Sequence, residues 1–356
     1  MDKYEHNKAT SSGANVIPFN PFAAAYGDIQ DRAEVEKLRK PLQGGRVIQT
    51  SGEWTADWHP PSWLILGILQ RRFLYSLTAP AGAGKTALAL TLAAHVALGR
   101  DLGSHRVRQG RVLYLAGENP DDIKTRWLAV AEALGFDPNT IPVDFVEGVS
   151  ALGTIKLAAA QTLGYALVIV DTDQAYFDGD DMNDNTARKR WAQKLRTLVN
   201  LPGGPAVLVL AHPPKEAVKP PFRPYGGNAL LNEFDANTYL ERHDKIILLK
   251  RDPQKFRGPE FDPVPFTLHP IISTTLADDE GTPVMSVMAV PLTADAYAAI
   301  KAKAADKDAE LRQKWEDDPG LTFSQYAELF GFEEPARKGK NKASRLIKKW
   351  QKADSE

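Results

Sequence analysis

Residues 73–86 read Phe73-Leu74-Tyr75-Ser76-Leu77-Thr78-Ala79-Pro80-Ala81-Gly82-Ala83-Gly84-Lys85-Thr86, and this stretch decides the fold. The short apolar run Phe73–Leu77 reads as a strand, and Lys85–Leu98 follows as an almost wholly apolar helix stopped by Gly99. Strand, glycine-rich turn and buried helix, in that order, make a phosphate-binding loop. Its glycines let backbone N–H groups come close to phosphate oxygens, Lys85 reaches the β- and γ-phosphates, and the Thr86 hydroxyl ligates Mg²⁺. ATP with Mg²⁺ is therefore expected on Ala81, Gly82, Ala83, Gly84, Lys85, Thr86 and Ala87. Ala79 stands where such a loop usually carries its first glycine.

Outward from the loop, strands and helices alternate. Arg111–Ala116 reads as a strand, Asp121–Leu134 as a helix and Pro142–Val146 as a strand. Ala166–Val170 and Ala206–Leu210 are uninterrupted apolar runs, as expected of central parallel strands covered on both faces. The pattern predicts an α/β fold with a parallel sheet. After about Asn232, Ile246–Leu249, Val264–His269 and Met285–Val290 read as hairpin segments that extend the sheet at an antiparallel edge.

Chemistry is expected where strands end. Asp171 closes Ala166–Val170 and is placed to share the Mg²⁺ with Thr86. The next residue is Thr172, not glutamate, so another group must orient the attacking water. Glu118, just past Arg111–Ala116, is the candidate base, with Asp173 a weaker alternative. His212 follows Ala206–Leu210 and precedes Pro213-Pro214-Lys215, a place from which it would sense the γ-phosphate and pass that state to the loop beyond.

The flanks differ from this core. Residues 1 to about 50 read as a flexible arm with a short helical candidate at Ile29–Leu38, and Trp54 to Leu69 as a packed segment broken by Pro60 and Pro61. Ala294–Trp315 is a long helical stretch stopped at Asp317-Asp318-Pro319-Gly320. Beyond it Thr322–Phe330 and a basic helix from about Asn341 to Lys352 suggest a small helix-turn-helix-like or truncated winged-helix module. The expected organisation is an arm over 1–50, an ATPase core over 51–292 and a helical, basic module over 293–356. That last helix carries Arg337, Lys338, Lys340, Lys342, Arg345, Lys348, Lys349 and Lys352 without an acidic residue between Pro335 and Ala353. It is read either as a solvated tail or as a nucleic-acid contact through Arg345, Lys348 and Lys349.

With 44 basic against 45 acidic residues there is no global field to hold a polyanion, so nucleic-acid contacts must be local. No cysteine is present, which excludes disulfides, cysteine metal sites and thiol nucleophiles. No uncharged run approaches the ~20 residues of a membrane span, and a soluble cytoplasmic protein is the default expectation.

Taken together, Ala79–Thr86, Gly117-Glu118-Asn119-Pro120, Val170-Asp171-Thr172 and Ala211-His212-Pro213 resemble the RepA-like helicases, RecA-fold ATPases of plasmids, phages and integrative elements related to DnaB-type replicative helicases. The resemblance covers about Trp58 to Leu268. It implies a ring, usually hexameric, with ATP between subunits and single-stranded DNA in the central channel. It places the base at Glu118. It also implies a finger from the adjacent subunit in a Lys-x-Arg pattern, which Lys255-Phe256-Arg257-Gly258 fits; Arg257 is the expected finger and Arg251 the fallback. In such rings the loop after the sensor faces the channel, so Lys215, Lys219 and Arg223 are expected on phosphates and Phe222 or Tyr225 on bases. The acidic segment Asp178–Asn185 is expected to be a hinge or subunit contact. A DNA-dependent ATPase that does not unwind is the alternative reading; a small-molecule kinase is disfavoured, for want of an acceptor pocket and lid.

Overall fold

The computed structural model describes residues 49–148, 163–332 and 336–354. The expected arm and its helical candidate lie outside them, as does the side chain of Arg337. The chain divides into two units, Met1–Pro60 and Pro61–Glu356. In the first, Ser51–Thr55 (α1) is a single helical turn started by a capping box between Thr50 and Glu53. The packed part of the expected lead-in belongs to the second unit, where Trp63–Ile65 (β1) and Leu69–Gln70 (β2) form a small antiparallel ladder.

Nine strands make the main sheet: Leu74–Thr78 (β3), Arg111–Ala116 (β4), Val143–Glu147 (β5), Tyr165–Asp171 (β6), Ala206–Ala211 (β7), Ala236–His243 (β8), Ile246–Phe256 (β9), Val264–Ala277 (β10) and Pro283–Pro291 (β11). Their spatial order is β11-β10-β9-β8-β3-β7-β6-β4-β5. From β8 to β5 every pairing is parallel, and β9, β10 and β11 add the antiparallel edge that the sequence led us to expect. β8 was not expected. It carries Asn237, Thr238, Glu241 and Arg242, and such a strand does not read as apolar.

The uninterrupted apolar runs are explained by two cores, one on each face. Leu167, Ile169, Leu208 and Leu210 point into the core that holds the helix Lys85–Leu98 (α2), while Val168, Val170, Val207 and Val209 point into the core of Trp191, Leu195 and Phe234. α2 is buried nearly all round, packed against β4, β6, β11 and the helix Pro120–Leu134 (α3), which is why it shows no polar face. The second face is covered by Asn185–Thr197 (α5) and Gly227–Glu233 (α6), with the short Asp173–Tyr176 (α4) following β6.

The last three helices are Ala294–Asp317 (α7), Phe323–Leu329 (α8) and Ala336–Ala353 (α9). They share a third, separate core of Leu311, Tyr326, Phe330, Ala343, Ile347 and Trp350. Among the described residues no strand follows β11, so the module has helices but no wing. No helix among the described residues is long and apolar enough to cross a membrane.

Candidate nucleotide site

β3 lies in the middle of the sheet, and the loop that leaves it at Ala79 reaches α2 within six residues. Ala79 is fully buried and its N–H donates to the Ala211 carbonyl at 3.2 Å, so the methyl in place of the usual glycine is core rather than obstruction. Gly82 and Gly84 both take left-handed backbone, at φ 72° and 97°. At Gly84 a Cβ would also stand 3.0 Å from the Leu268 side chain, so glycine is required twice over. Gly84 caps α2 without a side-chain hydrogen bond, which leaves the first N–H groups of the helix to an anion.

Below the loop, Asp171 at the end of β6 is buried. Its Oδ2 accepts from the Tyr114 hydroxyl at 2.6 Å and the Thr86 hydroxyl at 3.1 Å, and its Oδ1 is buried with no partner among the described residues. Burial raises its pKa, opposed by the hydrogen bond from Tyr114. A carboxylate with an unused buried oxygen beside a hydroxyl suits a hard cation such as Mg²⁺. Among the described residues no group of three or more His, Asp or Glu could hold a metal alone, so phosphate oxygens and water would complete the shell.

Lys85 folds back on the loop, donating to the carbonyls of Ala79 at 2.7 Å and Pro80 at 3.1 Å. Its Nζ also lies 3.2 Å from His212 Nδ1. An ammonium cannot accept, so this contact requires Nδ1 to be the acceptor and places the imidazole proton on Nε2. Nε2 faces Glu118, 3.8 Å from Oε1, which is ion-pair reach and longer than a hydrogen bond. Glu118 Oε1 also accepts from the Thr172 hydroxyl at 2.8 Å. His212 first, and Thr172 against partial burial, hold the Glu118 carboxyl below its ordinary pKa, so it stands ready as a base. Burial pushes Lys85 down to about 8.

One cavity of about 660 Å³ brings together Lys85, Thr86, Glu118, Thr172 and His212. Its outer wall was not foreseen. Arg242, at the end of β8, donates to the Gly82 carbonyl at 2.5 Å, Lys245 stands nearby, and Leu268 and Val287 close the apolar side. Tyr114 and Thr172 were likewise missed as functional groups. Thr172 sits directly after Asp171, a position that could have flagged it. A second cavity of about 630 Å³ lies across Pro80 and Ala81, bounded by Gln174, Lys215 and Tyr225, and His212 lines both. A third cavity, about 690 Å³ around Leu102, Phe261 and Tyr297, carries none of the phosphate-binding groups.

Several expectations need correction. Asp173, the alternative base, is wholly buried, with Oδ2 on Arg188 at 2.7 Å and Oδ1 on Trp191 Nε1 at 2.7 Å, so it cannot reach a substrate water. Phe222 is buried edge-on against Tyr239 and does not offer a face to a base. Arg223 is engaged by both oxygens of Asp252, at 2.7 and 3.1 Å, and by Gln254 at 2.6 Å, so its charge is already matched. Tyr225 gives its hydroxyl to Asn183 at 2.5 Å. Lys215 and Lys219 remain exposed on the loop. In the acidic segment, Asp184 caps α5 through Thr186 and Asp178 pairs with Lys194.

Arg257 is not near the P-loop of its own chain. Its N–H donates to the Asp235 carbonyl and its Nη1 to Asp235 Oδ1 at 3.1 Å, while Phe256 pairs with Ala236 at the start of β8. Since β8 runs parallel to β3 beside it, that is toward the opposite end of the strands from Thr78. Lys255 donates to the Asn232 carbonyl at 3.2 Å, and Arg251 pairs with Glu260 at 2.6 Å.

Residues 47–218 match the family described as an AAA domain, a stretch that spans the P-loop, Glu118, Asp171 and His212. No curated protein sequence matches the chain. Among solved structures, one described as an ATPase domain matches with 15% identity and a TM-score of 0.44, over 56% of this chain and 82% of that one.

Proposed function

We propose that the protein is an ATP-hydrolysing, RecA-like motor that forms a ring and moves on single-stranded DNA as a helicase. The observation that carries the catalytic part is the placing of Glu118, oriented by Thr172, in the same cavity as Lys85 and Thr86, with Asp171 buried behind Thr86 and bonded to its hydroxyl. Thr86 and Asp171 would hold a Mg²⁺ ion, which when bound would supply positive charge against the phosphates. Glu118 then accepts a proton from the attacking water. Lys85 exchanges the Ala79 and Pro80 carbonyls for phosphate oxygens, and in doing so leaves His212 Nδ1. The released imidazole can face the γ-phosphate.

His212 is also tied to the following loop, since Tyr225 N–H donates to its carbonyl at 2.8 Å. A change at the ring therefore has a short path to Lys215 and Lys219, the cations that would hold the strand. Arg257, toward the end of the strands away from the P-loop of its own chain, supports a site completed by a neighbour.

The test combines ATP turnover, with and without single-stranded DNA, and strand displacement on a forked duplex. Stimulated turnover together with displacement is the expected result. Stimulated turnover without displacement would reject the helicase and leave a DNA-dependent ATPase.

A further inference from the structure

We propose that α9 holds duplex nucleic acid by its phosphates, through a cationic stripe that is separate from the nucleotide cleft and from the loop carrying Lys215 and Lys219. The inference goes beyond the single-strand motor and does not rest on it.

The helix is sharply two-sided. Ala343, Ile347 and Trp350 are buried against α7 and α8, with the Trp350 ring centroid 5.9 Å from that of Trp315 and 6.0 Å from that of Phe330. Its indole N–H donates to Asp308 at 3.3 Å. These contacts fix the rotation of α9, so its charges are set in place and do not belong to a loose tail. On the opposite side Lys338, Lys342, Arg345, Lys349 and Lys352 are all exposed, and their alternating spacing of four and three residues puts them in one row. At 1.5 Å per residue the row is about 21 Å long. Lys348 flanks it, and no acidic residue lies between Ala336 and Ala353, although the whole chain is balanced at −1. Lys349 reaches Asp308 at 3.2 Å and Lys342 stands over the Phe332 ring at 4.5 Å, but both ammonium groups stay on the surface.

What the stripe lacks selects its ligand. Among the described residues of α9 no aromatic or large aliphatic side chain is exposed, so there is no platform on which an unpaired base could stack. Nor is there an apolar wedge to enter a bilayer, which an amphipathic membrane helix requires. A straight row of cations without stacking groups fits a stiff line of phosphates, and a duplex presents one charge per ~1.7 Å of its axis.

The experiment uses the full chain and short labelled nucleic acids of arbitrary sequence, duplex and single-stranded, with fluorescence anisotropy read across a salt series. A triple variant, Lys338→Gln with Arg345→Gln and Lys348→Gln, touches none of the buried contacts, and an unchanged thermal midpoint confirms that it folds. Its duplex affinity should fall at least about tenfold at low salt. The slope of log affinity against log salt should become shallower by about 0.9 per lost cation, or roughly 2.7. Single-strand affinity should change little. Unchanged duplex affinity and slope, or a loss confined to single strands, would overturn the proposal. So would a chain that ignores duplex but binds phosphatidylserine vesicles in a manner the variant loses. ATP turnover of the unaltered chain is measured separately: duplex binding without hydrolysis would leave the α9 site standing and sink the motor.

Discussion

Lys85 meets two demands that conflict: its ammonium must be buried to grip phosphate, yet burial favours the neutral amine. Burial wins enough to bring its pKa from 10.5 to about 8. Between those values the unfolded chain holds the proton more tightly than the folded one, so Lys85 alone makes the fold less stable as pH falls through that window. Phosphates reverse the balance by favouring the charged form. Binding of a non-hydrolysable ATP analogue near pH 8.5 should therefore take up a fraction of a proton, up to about one. Calorimetry in buffers of different ionisation enthalpy would show it, and a Lys85→Met protein should lose it; identical heats in all buffers would contradict the assignment. At Glu118 the question is orientation. Glu118→Gln should lower kcat by about 10²–10⁴. Thr172→Val removes only the 2.8 Å hydrogen bond to the carboxylate and should cost about tenfold in kcat with KM little changed. Equal turnover in Thr172→Val would show that Glu118 is held by something else. Glu118 and His212 were legible because each follows an apolar strand. Tyr114, Thr172 and Arg242 were not, because their roles come from what faces them across the fold.

Two elements are joined by a buried charge pair that no sequence pattern announced. Arg188 on α5 and Asp173 on α4 are both fully buried, 2.7 Å apart, and Arg188 also donates to the Tyr225 carbonyl at 2.8 Å. Its Nε and Nη1 have no hydrogen-bond partner among the described residues, but the guanidinium lies 4.9 Å from the Phe177 ring centroid. At Gly226, which has φ 104°, an added Cβ would stand 2.2 Å from Arg188 Nε, so the end of the loop is shaped around this side chain. Removing one partner strands a buried charge. Arg188→Leu should destabilise the fold by about 3–5 kcal/mol in urea denaturation, and the double variant with Asp173→Leu should cost less than the sum of the two single changes. Strict additivity would mean that the pair is not coupled. β8 escaped sequence reading for a related reason. Asn237 is buried near the start of the strand, yet it accepts from Ser76 and Thr78 and donates to Phe222 O and Asp252, so the sheet satisfies a residue that by itself argues against a strand. The parallel strands β6 and β7 read plainly because both their faces are covered by apolar side chains, whereas the polar contacts that stabilise β8 come from residues far away in sequence.

At the scale of the whole molecule, the proposed ring divides the site between copies. The P-loop sits where β3 ends and Arg257 beside the start of the neighbouring β8, toward opposite ends of two adjacent parallel strands. A ring built by repeating one contact can bring the Arg257 end of one subunit to the P-loop end of the next, and such a head-to-tail contact uses two different surfaces of the chain. Arg257 is two-thirds exposed, and its partner Asp235 also holds Arg196 and accepts from the Leu74 N–H, so Arg257 can leave without stranding a lone carboxylate. Arg257→Ala should then bind nucleotide normally while turnover falls by about 10³ or more, the scale on which finger residues act. Mixing it with Glu118→Gln is the sharper measurement, because each protein supplies what the other lacks. With random assembly roughly one interface in four joins an intact Glu118 to an intact Arg257, so the mixture should recover a comparable share of wild-type turnover. If the mixture stays as inactive as its components while both still assemble, Arg257 does not act across the interface.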